Sequence, residues 1–405
     1  MKVLVVDNGL CVEFARTLAN SGAFHAVGYY SPYVADFPEL RDAAPGSGFP
    51  ELVREYQLFE AIPRYDAFAF PDLYYADLQD YLELQGMPVW GAHRNEELEL
   101  DRSFLLSNQA DCKMPTPKSH IITLGEAYDT AKPGDFLKIS RFRGDTETIK
   151  VGNDDVWYHD LMLRWGPMAK TQIVIRQRPL PDGPEVGSDC LIQLGKIVRP
   201  MLAGYEIKDK AYIGRVCHSL PPTLKAVLDK CVSMMNQGLY SQFLSTEILN
   251  GTLIDITTRV PQPPGDLHLY MWTNLSHNIA LALHGSEAQR LTPRNEWGCQ
   301  LILHSNEPEH YICFNEHPEH LYLRRAFVVN SRTYLAPRRA NSPLSEVGSI
   351  VGTGWTAKDA INNALKNAKD TDLPEGISYD KNCQDELLEK LEEGNKDPLI
   401  ALVSK

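Results

Sequence analysis

The chain has 405 residues, of which 43% are hydrophobic and 23% charged, proportions typical of a globular protein. This length exceeds what one hydrophobic core usually supports, so two or three domains are expected. The net charge of −13 argues against a broad nucleic-acid surface, because phosphate binding requires a basic one. No run approaches the ~18 apolar residues of a membrane span, and the first residues enter a predicted strand rather than a signal peptide.

The eight cysteines include no Cys-x-x-Cys pair, and several stand in apolar surroundings. Buried free thiols in a reducing compartment are the simplest interpretation, since a zinc site needs closer spacing. We therefore expect a cytoplasmic protein with no membrane and no nucleic-acid partner.

Short apolar runs alternate with helical patterns over residues 1–100, which predicts a parallel sheet with helices on both faces. The turn after the first strand, Asn8-Gly9, has one glycine instead of the three of a dinucleotide fingerprint, so NAD binding is excluded. Ligands of open parallel sheets bind at the carboxyl ends of the strands. This region is therefore a candidate for holding an acceptor substrate, although Asn8-Gly9 could equally serve only to turn the chain.

A lysine stands in the middle of the apolar strand pattern Phe136–Ser140. Burying an unpaired ammonium is costly, so we expect Lys138 to face a cleft and to meet a phosphate. The alternative is a lysine that extends from an edge strand to water. The turn that follows contains Arg141, Arg143 and a single glycine, Gly144, and guanidinium groups suit phosphate oxygens.

A second β-rich block ends in a hairpin whose Asn250-Gly251 turn is typical of a two-residue type I′ loop. Glu247 on its first strand and Asp255 on its second are candidate ligands of Mg²⁺, which prefers carboxylate oxygens. Regular pairing from this turn places Glu247 opposite Ile254, so that the two carboxylates would point to opposite faces. Either a bulge corrects this register or Asp255 alone binds metal.

A strand lysine, a strand-to-loop crossing and a carboxylate-bearing hairpin, in this order, resemble the ATP-grasp superfamily of ligases. Within it, the sequence is most similar to the phosphoribosylamine–glycine ligase and biotin carboxylase branch. The resemblance implies an α/β (α+β) protein: an N-terminal parallel-sheet domain, a two-lobed ATP-grasp fold and a C-terminal β-rich lobe. It places the substrate domain at 1–100, the nucleotide-binding region at 101–285 with a lid lobe at about 116–178, and the C-terminal lobe at 286–405.

The resemblance also implies which residues bind ATP. Arg102, in a helix predicted over residues 96–106, occupies the place of a basic residue that reaches the phosphates. Backbone groups at Gln177 and Arg178 would meet the adenine, beside an Arg176-Gln177 pair that replaces the usual acidic one. The implied nucleotide-binding residues are Arg102, Lys138, Arg141, Arg143, Gly144, Gln177, Arg178 and Glu185.

The same resemblance implies a metal site and a substrate site. Glu247, Asp255 and Thr257, the last in place of the family's asparagine, would hold Mg²⁺ or Mn²⁺. Arg259 would bind the substrate carboxylate or an acyl phosphate. Lys208 and Arg215 are further catalytic candidates, since the charge-rich segment around them suits a loop folded over a ligand.

The implied reaction is ATP-dependent ligation of a small-molecule carboxylate and amine. The carboxylate would attack the γ-phosphate to give an acyl phosphate, and the amine would then displace phosphate. Two alternatives keep the fold: a non-catalytic or regulatory nucleotide-binding protein, which the altered motifs favour, and a small-molecule kinase. The sequence names neither substrate and leaves a homodimer open.

Overall fold

The computed structural model of the protein describes residues 1–32, 43–140, 148–235, 240–307, 309–337 and 345–402. All eight cysteines lie in these ranges as free thiols, and six of them are buried, as predicted. Within the same ranges, each helix is too short or too polar to cross a membrane.

The N-terminal domain contains a five-stranded sheet in the order β3-β2-β1-β4-β5, with every neighbouring pair parallel. Its elements are β1 Lys2–Val6, α1 Val12–Asn20, β2 Ala26–Tyr30, β3 Leu52–Glu55, α2 Leu58–Ala61, β4 Ala67–Ala69, α3 Ala76–Leu84 and β5 Val89–Trp90. Val3 and Val5 enter one core and Leu4 and Val6 another, because successive strand residues face opposite sides. The predicted parallel sheet is confirmed. Strand β3 was missed because it lacks an apolar run.

The helix predicted over residues 96–106 is two helices, so this prediction was wrong. They are α4 Glu97–Leu100 and α5 Arg102–Asp111. Asp101 separates them in an extended conformation, and its carboxylate accepts hydrogen bonds from the amides of Ser103 at 2.9 Å and Phe104 at 3.2 Å. This N-cap makes Arg102 the first residue of α5.

The lid lobe, as we call residues 119–177, is a four-stranded sheet in the order β6-β9-β7-β8 with two helices on one face. Its elements are β6 Ser119–Thr123, α6 Leu124–Thr130, β7 Phe136–Lys138, β8 Thr148–Lys150, α7 Val156–Trp165 and β9 Ile173–Gln177. Leu137 and Val174 pack with Leu124 and Leu161 in a core that belongs to this lobe alone. Lys138, next to Leu137 on the strand, therefore points away from that core.

The remaining chain forms a nine-stranded antiparallel sheet in the order β14-β13-β10-β11-β12-β15-β20-β17, with β21 beside β15. A separate three-stranded sheet has the order β16-β19-β18. The elements of the first part are β10 Glu185–Gln193, β11 Lys196–Ile207, β12 Ala211–Cys217, α8 Pro222–Met234, β13 Gln242–Leu249, β14 Thr252–Thr257, α9 Gly265–Met271 and α10 Leu275–Leu283. Those of the second are β15 Trp297–Ser305, β16 Ile312–Phe314, β17 Leu321–Leu323, β18 Ala326–Val329, β19 Arg332–Leu335, β20 Glu346–Gly354, α11 Ala357–Asp370, β21 Ile377–Ser378 and α12 Cys383–Gly394.

The two faces of the large sheet are covered by different helices. Gly352 on β20 lies directly against Ala364 of α11, and α12 packs on the same side against β11 and β12. Gly298 pairs with Thr353, the residue after Gly352, and therefore faces the other side, where it lies against Leu267 of α9. The face covered by α9 also carries the carboxylates described below, and we call it the inner face.

The charge-rich segment around Lys208 is a hairpin of β11 and β12 and not a loop over a ligand, so this prediction was wrong. Along β11, the side chains of Tyr205 and Ile207 point to one face of the sheet and that of Glu206 to the other, as in any strand. The strand pairs with β12 in a regular antiparallel register that includes Gly204 opposite Gly214. Only residues 208–210 turn the chain.

Candidate functional site

A bulge in the β13–β14 hairpin brings the two predicted metal ligands together. Asn250 and Gly251 have φ of +50° and +75°, as a type I′ turn requires, so the predicted turn is confirmed. Beyond it Ile248 pairs with Leu253, but the next pair is Glu247 with Asp255. Residue 254 is thus the extra residue of a β-bulge, and both carboxylates lie opposite each other on the inner face.

The two carboxylates differ in their electrostatic state. Burial, followed by the negative charge of Asp255, raises the pKa of Glu247 well above its usual value. Burial also acts to raise the pKa of Asp255, but the positive charges of Arg102 and Lys138 outweigh it and lower that pKa to about 2. The two shifts run in opposite directions, so Asp255 is the carboxyl that favours its negative charge and Glu247 the one that favours its proton.

The pair fits a hard divalent cation, because Mg²⁺ takes carboxylate oxygens and completes its coordination with phosphates and water. Within the described ranges, no set of three or more His, Cys, Asp or Glu residues is placed to hold a metal by itself. Thr257 follows Asp255 by two residues, pairs with Ser245 and lies on the same face as the carboxylates.

Arg102 forms a two-pronged ion pair with Asp255. Its Nη1 donates to Oδ1 and its Nη2 donates to Oδ2 at 3.0 Å. The arginine is 3% exposed, whereas the Asp255 side chain keeps 26% of its surface accessible. The amide of Arg102 also donates to Ser140 Oγ at 3.2 Å, which connects the start of α5 to the segment that follows β7.

Lys138 reaches from the lid lobe to the same hairpin. Its ammonium donates to the carbonyl of Ile254, the bulge residue, at 2.9 Å. Strand β7 lies between β9 and β8, and Lys138 is 9% exposed. The alternative of a lysine extending from an edge strand to water is therefore excluded, and Lys138 bridges two lobes at the bulge.

The adenine-binding prediction fits less well. Gln177 pairs with Ser119 on one side and Phe136 on the other, so its backbone belongs to the lid sheet. The amide of Arg178 donates to the Lys118 carbonyl at 3.0 Å, and its guanidinium pairs with the buried Asp135 at 2.9 Å. The structure therefore does not present Gln177 or the Arg178 amide to a ligand.

The other candidates lie at different distances from the carboxylates. Glu185 and Glu206 are near enough to contribute to the raised pKa of Glu247. Lys208 is exposed in the turn after Glu206. Arg215 is not brought into the site, because it pairs with Ala203 on the outer face and donates to the Leu402 carbonyl there. Arg141, Arg143 and Gly144 lie outside the described residues.

Arg259 joins the hairpin to the N-terminal domain. Its Nε donates to Glu99 at 3.0 Å and lies 3.9 Å from Asp72, which also accepts a hydrogen bond from Asn8 at 3.3 Å. Asn8 follows β1 and Asp72 follows β4, at the carboxyl edge of the parallel sheet. Asp72 and Glu99 were not predicted from the sequence, although Asp72 directly follows an apolar strand pattern, where the residues of a parallel sheet bind ligands.

Two buried carboxylates accept hydrogen bonds from backbone amides at the same edge of the parallel sheet. Asp7 accepts hydrogen bonds from the amides of Gly9 and Cys11, and burial raises its pKa to about 6. Glu96 accepts from the amides of Tyr74 at 2.9 Å and Tyr75 at 3.3 Å, and burial raises its pKa to about 7. Such amides at helix starts commonly bind phosphates, but here the protein's own carboxylates fill them.

A buried aspartate on the inner face allows a test of these electrostatics. Asp189 accepts the Tyr212 hydroxyl at 2.8 Å, and burial raises its pKa to about 6 from 3.8. A raised pKa stabilises the fold fully below about pH 4, and this contribution is lost as the pH rises through 6. Asp189→Asn should therefore gain about 1–3 kcal/mol relative to the wild type between pH 4 and 7.

Urea unfolding at both pH values measures this difference. Asp129→Asn, at an exposed position of the lid lobe, is the matched control and should show no such change. A difference between Asp189→Asn and the wild type that is independent of pH would contradict the assignment.

No protein-family model matches the chain, and no curated protein matches it. Solved structures do. The phosphoribosylamine–glycine ligase of Thermotoga maritima superposes with a TM-score of 0.68 at 14% identity, covering 94% of this chain and 99% of its own. The biotin carboxylase domain of the 2-oxoglutarate carboxylase of Hydrogenobacter thermophilus, solved with MgADP, ADP and bicarbonate, gives 0.64 at 12% identity and covers 93% and 91%. The N5-carboxyaminoimidazole ribonucleotide synthetase of Thermus thermophilus gives 0.61 at 16% identity and covers 91% and 97%.

Proposed function

Because the chain has the ATP-grasp fold, we propose that it is an ATP-dependent ligase that joins a carboxylate to an amine through an acyl phosphate. The observation that carries this proposal is the bulge that sets Glu247 and Asp255 side by side, with Arg102 and Lys138 converging on it. Two carboxylates suit a divalent cation, and two basic side chains suit the phosphates of a nucleotide.

In this proposal, Glu247 and Asp255 would hold Mg²⁺ or Mn²⁺, with Thr257 beside them, and a bound ion would supply charge neutralisation for the nucleotide phosphates. Arg102 and Lys138 bind phosphate oxygens and orient the γ-phosphate toward a substrate carboxylate. Attack by that carboxylate forms an acyl phosphate and ADP, and an amine then displaces inorganic phosphate. The protein's contribution is positioning and charge neutralisation.

The acceptor would bind where Arg259 meets the N-terminal domain. Asn8, Asp72 and Arg259 supply a hydrogen-bond donor, a carboxylate and a guanidinium at the carboxyl edge of the parallel sheet. Arg259 suits a carboxylate or an acyl phosphate, and Asp72 suits an amine. Since Asp7 and Glu96 already occupy the amides at this edge, we propose that no phosphate group of the acceptor binds at those turns.

The direct experiment supplies the protein with Mg²⁺ and ATP in a metabolite extract and follows the products by mass spectrometry. A ligase should yield ADP, inorganic phosphate and a new compound equal to an acid plus an amine minus water. ADP with a stable phosphorylated product and no inorganic phosphate would identify a small-molecule kinase. Nucleotide binding without ADP formation would identify a binding protein, and either result would overturn the ligase proposal.

Lys138→Met should weaken nucleotide binding by about 1–3 kcal/mol, the contribution of one charge-assisted contact. Titration calorimetry with Mg²⁺ and a non-hydrolysable ATP analogue measures this affinity. Lys170→Met, an exposed lysine elsewhere in the lid lobe, is the matched control and should bind as the wild type does. Equal affinities of all three proteins would remove Lys138 from the nucleotide site.

A further inference from the structure

Arg102, which is expected to bind phosphate, and Asp255, which is expected to bind metal, form an ion pair with each other. Both Oδ atoms of Asp255 accept hydrogen bonds from the two Nη atoms of Arg102. The Asp255 oxygens that a cation would need are therefore engaged by the guanidinium. The 26% exposure of the Asp255 side chain shows that the carboxylate is accessible from the surface, although Arg102 is buried.

Lys138 contacts the residue next to Asp255. Its ammonium donates to the carbonyl of Ile254, which immediately precedes Asp255. One basic residue comes from α5 and the other from the lid lobe, so two separate segments converge on residues 254–255. Both basic residues are the ones proposed to bind nucleotide phosphates.

A divalent cation on Asp255 would lie beside the positive charge of Arg102, and a cation that took both oxygens from the guanidinium would have to displace it. That would leave a guanidinium that is only 3% exposed without its carboxylate, and separating one member from a buried ion pair is strongly unfavourable. Phosphate oxygens form the same two-pronged contacts with a guanidinium as a carboxylate does, so a nucleotide can replace Asp255 as the partner of Arg102.

We propose that Arg102 is an exchangeable counter-ion of Asp255. Without nucleotide it excludes a divalent cation from this carboxylate, and nucleotide phosphates release the carboxylate by taking the guanidinium. Metal and nucleotide then bind cooperatively, and by linkage each increases the affinity for the other. The nucleotide half of this mechanism rests on the proposed function, whereas the exclusion of metal in the free protein does not.

The exclusion is tested without any nucleotide. Binding of Mn²⁺ is followed by electron paramagnetic resonance for the wild type and for Arg102→Gln, which keeps polarity but removes the charge. The variant should bind Mn²⁺ about tenfold more tightly or better, since a competing charge has been removed. Arg164→Gln, which breaks an exposed ion pair with Asp160 in the lid lobe, is the matched control and should resemble the wild type.

A second measurement separates metal binding from a general change in folding. Mn²⁺ should raise the melting temperature of Arg102→Gln more than that of the wild type, because the cation replaces the lost partner of Asp255. Adding Asp255→Asn to Arg102→Gln should abolish the gain in Mn²⁺ affinity. If Arg102→Gln fails to fold, Arg102→Lys keeps the charge but loses the two-pronged geometry, and it should still bind Mn²⁺ more tightly than the wild type.

Equal Mn²⁺ affinity of the wild type and the Arg102 variant would overturn the proposal, as would a gain that persists when Asp255 is replaced. A protein that formed no ligation product but showed the gain would refute the proposed function and leave the exclusion of metal by Arg102 standing. The two failures are thus distinguishable.

Discussion

Asp255→Asn is expected to lower ATP turnover by roughly a hundredfold to a thousandfold or more, the scale seen when charge stabilisation is removed from a transition state. The substitution keeps the shape of the side chain and removes the negative charge that is proposed to hold the metal. Because the variant should hold Mg²⁺ more weakly, it should need a higher Mg²⁺ concentration to reach its maximal rate. Turnover measured as ADP release over a range of Mg²⁺ concentrations tests both points.

The same substitution should also lower stability, because Arg102 loses its carboxylate partner. Breaking a fully buried pair costs about 3–5 kcal/mol, and the effect should be smaller here since Asp255 is partly exposed. A loss of stability alone therefore does not identify a metal ligand. Arg102→Gln breaks the same ion pair and provides the comparison: it should retain measurable turnover at saturating ATP and Mg²⁺. A requirement for Mg²⁺ that is the same in Asp255→Asn and in the wild type would mean that Asp255 is only a structural partner of Arg102.

Glu247→Gln should lose turnover on the same scale without losing stability. Burial and the charge of Asp255 raise the pKa of Glu247 well above its usual value, which favours the protonated form in the ligand-free protein. Glutamine has nearly the shape of the neutral acid. A raised pKa stabilises the fold below the unfolded value of 4.5 and loses that contribution as the pH rises, so at pH 7 the variant should be as stable as the wild type or more so.

Urea unfolding at pH 7 and ADP release on one preparation measure both properties of Glu247→Gln. Glu389→Gln, at an exposed position of α12, removes one negative charge far from the hairpin and is the matched control. Unchanged turnover in Glu247→Gln would mean that the bulge does not place a second metal ligand beside Asp255.

Features determined by neighbouring residues could be predicted from the sequence. The Asn250-Gly251 turn depends on two local φ angles, and the parallel sheet on alternating apolar runs. The orientation of Lys138 away from the core could be predicted because burying an unpaired ammonium is costly. The resemblance supplied the order of the elements, which the superposed structures match over most of the chain.

Features determined by contacts between distant segments could not be predicted. The bulge at residue 254 coincides with a hydrogen bond from Lys138, which is 116 residues away in the chain. The pair formed by Arg102 and Asp255 spans 153 residues, and the local pattern gives no sign of it. Arg215 was misplaced for a related reason: which face of β12 is the inner one is decided by pairing with β11 and β15.

The most direct test of the account compares the wild type with Asp255→Asn and Glu247→Gln in one phosphorus NMR experiment with Mg²⁺, ATP and a pool of carboxylates and amines. We expect the wild type to release ADP and inorganic phosphate in equal amounts only when both classes of substrate are present, and both variants to release neither. Equal ADP release by the wild type and both variants would contradict the carboxylate pair as the metal site, and ADP without inorganic phosphate would contradict ligation.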